Sequence, residues 1–539
     1  MSATGPIAVG ISPAEQLRRR PRLFAALEAA LPVRFEGRAP DELGGLDALL
    51  ALGPAEGSPI PARLPSLSLM VAEARAEGKP VLNVLADTAL LDQRLRDTSL
   101  PDNRLGAALG EAGGIAVGAN ATVLAAGSGL PTWTRDGEAE QALLIPAELA
   151  PREALRERLC DKRSSALLPL LHFLREQTRR IDWQPPPARA SLLFDDPNLH
   201  WPSYGFVKLA ELGEHARRHG YHVALATVPL DAWFAHPAAL RALKESAGAV
   251  SLLVHGNDHD GAELGRQRDE AEAIAIAAQA LRRVDAFGRR TGVTVDRVMV
   301  PPHEACSQAT AKALRRCGFE AISMTRPCPW LEWEPHSWLA RPEPADPLVA
   351  WKPADFVEEL PLLLRHPLAE RSSAELALRA YLDQPLILYG HHDDLLDGPD
   401  ALLEAVEEVN RLAPTRWCSL SEIAATSFET RLHAGHLDVR LLTRKARIEI
   451  PAEATELTIE APTSGPDPEE QLLTIDGKHA RLDEPAPVKP GSSVEVTLTP
   501  LDAIAVGSVP SPRRRPLAVA RRLASEGRDR LQPLAGRTR

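Results

Sequence analysis

The sequence predicts an α/β protein built around an incomplete (β/α) barrel, with a small α/β layer domain before it and a small β-sandwich after it. Three observations carry that prediction. Between Ala190 and about Thr426, seven or eight short apolar runs alternate with helical patterns, the rhythm of parallel strands joined by crossover helices. Before residue 135 a shorter alternation of the same kind occurs. From about Leu437 to Ala505 helix formers give way to period-two strands.

Taken in order, residues 1–135 contain "LDALLAL", a helix near "SLMVAEARAEG", "KPVLNVLA", "GIAVGA" and "ATVLAAG", which read as a flavodoxin-like layer of unknown role. No cysteine precedes Cys160, so an amidotransferase nucleophile is excluded there. "GSGLP" at Gly127–Pro131 has the form of a phosphate loop or, more commonly, a plain turn. Residues 136–189 form a charged helical connection ending in the proline-rich "QPPPARA". Residues 190–430 are the barrel, with strands at "SLLF", "HVALATV", "VSLLV", "RVMV", "EAISM", "EELPLLL", "PLILYG" and "RWCSL". Helices are expected at "GFVKLAELGEHARRHG" and "QRDEAEAIAIAAQALRRVDAFGRR", and a third runs from an N-cap at Ser307 to Gly318. Residues 431–508 are the sandwich, where "IDGK" marks a hairpin. The basic tail, 509–539, reads either as a solvated end or as a helix lying on an anionic membrane surface.

Composition narrows the function. A chain of 539 residues with 44% hydrophobic and 25% charged content is globular and large enough for two to four domains. A net charge of -11 gives no polyanion-binding signature, so nucleic acid is not an expected partner. Five cysteines without a C-x-x-C pair are expected as reduced, mostly buried thiols, and Cys306 and Cys317 as helix packing. With no apolar run of signal-peptide or membrane-span length, the expected location is cytoplasmic, peripheral to a membrane at most.

The chemistry is read at the strand ends, because the loops after parallel barrel strands open on one face. "SLLF" ends in Asp195-Asp196, "VSLLV" in His255 with His259 four residues on, "RVMV" in Pro301-Pro302-His303-Glu304, and "PLILYG" in His391-His392-Asp393-Asp394. Four strands thus deliver carboxylates or imidazoles to one rim. Imidazole nitrogens and a carboxylate are the donors that zinc-like ions take, and a catalytic site keeps a position open for water. His255 and His259 can point both rings at one ion, Gly256 and Asn257 let the chain turn between them, and one aspartate of the first strand completes the trio. The other aspartate is then free to take a proton from water, and His391 or His392 to protonate a leaving group.

"LLFDDPN", "VHGNDH", "VMVPPHE" and "LILYGHHDD", in this order, resemble the motifs of the metal-dependent polysaccharide deacetylases, the NodB-homology or carbohydrate esterase family 4 group. The likeness runs from about Ala190 to Thr426 and includes "ALLEAVEEVNRLAPTRWCSLSEIAA", similar to the last helix and strand of that fold. It implies a distorted (β/α) barrel of NodB type with seven strands, one divalent ion (zinc first, then cobalt, nickel or manganese), and hydrolysis of an N-acetyl group on an amino sugar or surface-polysaccharide precursor. Carried over by residue, Asp195 is the catalytic base, and Asp196, His255 and His259 are the metal ligands. His391 is the catalytic acid because it directly closes "LILYG", with His392 its competitor. Pro302, His303 and His392 are the expected substrate contacts. The chain departs from the family at Gly256, where a threonine or serine is usual, and at Pro197, where glycine is usual. It departs again at Val300, which takes the place of an arginine that braces the base, with Arg297 three residues upstream. Those departures point to a divergent branch. They frame two alternatives: an inactive barrel that binds glycans or acts as a scaffold, and a hydrolase of another non-peptide C–N bond. The tryptophans of "PCPWLEWEPHSWLARP" either stack on sugar rings or cover the barrel.

Overall fold

The computed structural model describes residues 6–39, 42–53, 63–73, 78–151, 153–160, 162–179, 181, 183–325, 355–460, 471–512 and 516–535. The tryptophan-rich segment and Cys328 lie outside them. The chain divides into two compact units, one built from the described residues of Met1–Trp183 and Ser372–Leu382, the other from those of Gln184–Arg341, Pro353–Arg371 and Asp383–Arg539.

The first unit holds a nine-stranded sheet: β1 (Ile7–Ser12), β2 (Val33–Gly37), β3 (Ala48–Leu52), β4 (Ser66–Ala72), β5 (Val81–Leu85), β6 (Ser99–Asp102), β7 (Thr122–Gly127), β8 (Leu130–Asp136) and β9 (Ala139–Ile145). The order is β2-β1-β3-β4-β9-β8-β7-β5-β6. The pairs among β2, β1, β3, β4 and β9 are parallel, whereas those from β9 through β8, β7 and β5 to β6 are antiparallel. A flavodoxin-like layer is parallel throughout, so the sequence expectation is corrected to a mixed sheet. The helix expected near "SLMVAEARAEG" is also corrected: Ser66–Ala72 is the central strand β4, because its apolar residues fill a slot between β3 and β9. "GSGLP" is a hairpin turn, with Ser128 at φ 49° and Gly129 at φ 78° joining β7 to β8. This unit extends past residue 135, since β9 lies in the sheet and Leu155, Leu159, Leu167, Leu170, Leu171 and Leu174 enter its core.

The second unit begins with β10 (Arg189–Asp195), a small hairpin of β11 (Ser203–Tyr204) and β12 (Val207–Lys208), and the strands β13 (Val223–Thr227), β14 (Val250–His255), β15 (Val295–Val300) and β16 (Ala321–Met324). It continues with β17 (Asp355–Val357), β18 (Leu360–Pro367), β19 (Leu386–Gly390) and β20 (Arg416–Trp417). The parallel path β13-β14-β15-β16-β18-β19-β10 closes where β10 pairs with β13, giving a seven-stranded barrel with β20 paired to the start of β10. Strands covered on both faces read as unbroken apolar runs, and β10 is buried at every position. The expected helices form as Leu209–His219 and Glu270–Thr291, each ended by a left-handed glycine (Gly220 and Gly292). Ser307 caps Gln308–Cys317 by accepting from the Thr310 N–H, as its position foretold.

After the barrel, Phe428–His433, His436–Leu441, Glu456–Glu460 and Ala486–Pro487 form one four-stranded sheet, while Lys445–Glu449, Ser493–Pro500, Gln471–Ile475 and Lys478–Ala480 form another. Leu437, Val439, Ile448, Leu457, Val496 and Leu498 share one core. The alternation read from the sequence is therefore a two-sheet module, and Asp476 and Gly477 make its hairpin at positive φ. Within the basic tail, Pro516–Ala535 is a helix.

Candidate metal centre

The two aspartates that end β10 face different partners. Asp195 is 5% exposed, and its Oδ1 accepts from Arg365 Nη1 at 2.9 Å. Asp196 has φ 78°, a left-handed conformation that costs a non-glycine residue about 1–2 kcal/mol. Its Oδ1 lies 3.4 Å from His259 Nε2 and 4.0 Å from His255 Nε2. The ligand atoms of Asp196, His255 and His259 all lie within 4.8 Å of one another.

The loop that carries the histidines is built around one carboxylate. Glu263, 3% exposed, offers Oε1 to the backbone N–H groups of Asn257 at 2.6 Å, Asp258 at 2.9 Å and His259 at 2.8 Å. Gly256 has φ 62°, and a Cβ there would stand 2.5 Å from Glu263 Oε1 and 2.7 Å from Pro302 Cγ. Glycine at this position therefore has a steric cause: the turn leaves no room for a side chain. His255 Nδ1 pairs with the Val300 carbonyl at 2.9 Å, so that nitrogen carries the proton and Nε2 presents its lone pair toward Asp196. Burial drives the His255 imidazole down to about 4, against the pull of Asp195, which keeps the ring neutral and ligand-ready. Burial would raise Asp196, but at the low pH where that carboxyl titrates even His255 is charged, and His255, His259, Arg522 and His391 together outweigh burial and hold the carboxyl well below its ordinary range.

These residues fit a divalent cation by donor type, by mutual spacing and by the fixed tautomer of His255. A second grouping, Glu140, His172 and Glu176, has the donor types but not the support. Arg135 Nη1 sits 2.7 Å from Glu176 and 3.6 Å from Glu140, Trp133 Nε1 donates to Glu140 at 2.8 Å, and the buried Nδ1 of His172 has no hydrogen-bond partner among the described residues.

Three residues of this site escaped the sequence reading. Val300 cannot supply the brace expected for Asp195, yet Arg365, from β18, contacts that carboxylate: its Nε donates to Glu304 Oε1 at 2.9 Å while Nη1 holds Asp195, and it stacks 4.1 Å from the Tyr389 ring centre. Arg297 instead faces Asp285 on a half-exposed surface. An arginine near the end of "LPLLLRHP" was the available signal. Glu263 was a polar residue in a loop, without any signal. Arg522, from the C-terminal helix, donates from Nη1 to Asp196 Oδ1 at 2.9 Å, from Nη2 to the Asp196 carbonyl at 2.6 Å and from Nε to Asp231 Oδ2 at 2.7 Å.

His303, at φ 56°, sets its ring 5.5 Å from that of His259, and burial lowers its pKa. Pro302 is buried against the Gly256 turn. His391 is exposed at the end of β19, near enough to Asp196 and His303 for their charges to interact. His392 is buried beside Tyr204 and Phe206, with ring centres 5.8 Å from each. Of the two, His391 has the access a proton donor to substrate needs.

No family model matches the chain, and no curated protein does. Among solved structures it is similar to a family 4 carbohydrate esterase from Streptomyces lividans in complex with acetate, at 13% identity over 42% of this chain and 88% of that one, with a TM-score of 0.25. It is similar to a protein from Mycobacterium smegmatis described as a polysaccharide deacetylase, at 15% identity over 46% of this chain and 95% of that one, TM-score 0.30. The Xyl-CE4 domain of a multidomain xylanase from the hindgut metagenome of Trinervitermes trinervoides shares 12% identity over 41% of this chain and 81% of that one, TM-score 0.23. Each of these likenesses spans about two-fifths of the chain at 12–15% identity.

Proposed function

We propose that this protein is a divalent-metal-dependent hydrolase that removes an N-acyl group, acetyl first, from an amino sugar or surface-polysaccharide precursor. The observation that carries the reading is the division of labour at the end of β10, where Asp195 is held by Arg365 and Asp196 faces two imidazoles. A bound cation, zinc first among the candidates, would polarise the acyl carbonyl and acidify a water. Asp195 has one oxygen fixed by Arg365, which leaves the other to accept the proton of the attacking water. Arg365 holds that carboxylate in place until the proton arrives. His391, exposed at the end of the neighbouring strand, donates a proton to the amine as it leaves. Pro302 and His303 wall the approach, and His392 supports it through Tyr204 and Phe206.

Metal analysis of the purified protein, with acetate release from a panel of N-acetylated sugars, tests this reading. His255→Ala is expected to lose the ion and keep its circular dichroism, and unchanged metal content would refute the ligand assignment. Asp195→Asn is expected to keep the ion and lower kcat by roughly 10²–10⁴-fold. The engagement of Asp196 by Arg522 favours a second reading, a glycan-binding barrel without turnover. Sugar binding that survives Asp195→Asn, with no acetate released by the wild type, would select it.

The C-terminal helix also supports peripheral contact with an anionic bilayer. Its outward arc carries Leu517, Val519, Leu523 and Leu531, all exposed, and its most exposed charges are Arg521 and Arg528. Among the described residues no helix is long and apolar enough to cross a membrane. Co-sedimentation with phosphatidylserine vesicles should fall when Leu523 and Leu531 are changed to Glu, and equal binding would remove this part of the proposal.

A further inference from the structure

The helix Pro516–Ala535 is amphipathic the wrong way round for a core helix. Its charged side faces the barrel unit, while Leu517, Leu523 and Leu531 face out; Ala518 is its one fully buried apolar residue among those described. The inward side makes a row of polar attachments. Arg522 joins Asp231 and Asp196, Glu526 Oε2 pairs with His200 Nδ1 at 3.0 Å, Asp529 Oδ2 accepts from the Tyr204 hydroxyl at 2.6 Å, and Arg530 donates to the Ser203 carbonyl at 3.0 Å and to Asn198 Oδ1 at 3.1 Å. A docking face of this kind lacks the apolar area that makes helix packing permanent.

The atom that Arg522 engages is the decisive one. Asp196 Oδ1 is both the acceptor of Nη1 and the oxygen that faces His255 Nε2 and His259 Nε2. A divalent cation on that oxygen would sit beside a guanidinium only 5% exposed, where solvent screening is weak. Like charges so close cannot both be held well, so the two occupants exclude or weaken one another.

We propose that the C-terminal helix is an autoinhibitory plug: Arg522 and the divalent cation compete for Asp196, so that docking the helix weakens the cation and binding the cation loosens the helix. The proposal rests on the reading of Asp196, His255 and His259 as the metal ligands. Undocking frees Asp196 Oδ1 and uncovers the mouth beside Asn198, Tyr204 and His200 for a substrate. Reciprocity is a matter of linkage, because whatever factor the helix takes from cation affinity the cation takes from helix docking.

The test uses the full chain and Zn²⁺ alone. Calorimetric titration with a competing chelator is expected to show about tenfold or tighter Zn²⁺ binding in Arg522→Gln than in the wild type. Amide hydrogen exchange of residues 516–535 in the wild type is expected to speed up when Zn²⁺ is added, and to show no such response in His255→Ala. Arg522→Gln leaves the buried Asp231 without its partner, so Tyr204→Phe provides a second variant: it removes the Asp529 attachment far along the helix and is expected to move both readouts in the same direction. Equal Zn²⁺ affinity in wild type, Arg522→Gln and Tyr204→Phe, with exchange unchanged by the cation, would overturn the plug and leave the metal centre standing. Absence of Zn²⁺ binding in all of them would overturn both.

Discussion

Asp195 and Arg365 form a buried pair, and the same guanidinium also serves the partly buried Glu304. Breaking a buried pair of this kind costs about 3–5 kcal/mol, because the partner left behind is a charge without solvent. A lysine can reach one carboxylate but has no fork to bridge both. Arg365→Lys is therefore expected to keep the cation and to lower kcat by about 10–100-fold, checked by metal content alongside steady-state rates. At Glu140, in the other unit, burial pushes the carboxyl up from 4.5 to about 7, against the Trp133 hydrogen bond and Arg135. The folded chain then holds a proton that the unfolded chain has already released. Stability falls as pH rises from 4.5 to about 7, by up to about 3 kcal/mol. Glu140→Gln carries no such penalty, so its thermal midpoint should exceed that of the wild type by a margin that widens across this window and stays constant above it. A margin independent of pH would exclude the assignment.

The elements that present these residues were legible to different degrees. The barrel strands were readable because a strand buried on both faces must be an apolar run, and the residues just past the end of each run must form the rim. That logic reached Asp195, Asp196, His255, His259 and His391. It failed for Arg365, since a charge inside an apolar run looks like an interruption rather than a brace. It failed for β4 because "SLSLMVA" satisfies either period, and its place between two strands decided the matter. The loop from Gly256 to His259 shows what local sequence leaves unsaid: its shape is set by Glu263 from outside the motif. Gly256→Ala adds a Cβ where Glu263 and Pro302 already stand, at a φ that only glycine adopts cheaply. The expected outcome is loss of cation binding with the barrel still folded, read by calorimetry and circular dichroism. Retained affinity would mean that the loop gives way.

Across the molecule, the candidate centre draws its parts from distant positions. Arg365 is 170 residues from Asp195, and Arg522 is 326 residues from Asp196. A reading that moves along the chain meets the tail last and sees only basic solvated helix, so the residue that presses on the candidate ligand was the least visible one. The mixed sheet of the first unit was hidden for a related reason, since β9 lies beside β4 across a long gap in sequence.

The way the barrel closes carries a consequence for how the protein is made. β10 waits for β19 and β20 before its far edge is covered, and those strands lie near the end of the barrel sequence. During synthesis the strand that bears both aspartates would leave the ribosome long before that neighbour exists, presenting an open, apolar edge to chaperones and to other nascent chains. Ribosome-stalled chains ending before Leu386 should thus stay protease-sensitive around Leu192–Asp195, and protection should arrive in one step once the last barrel strands emerge.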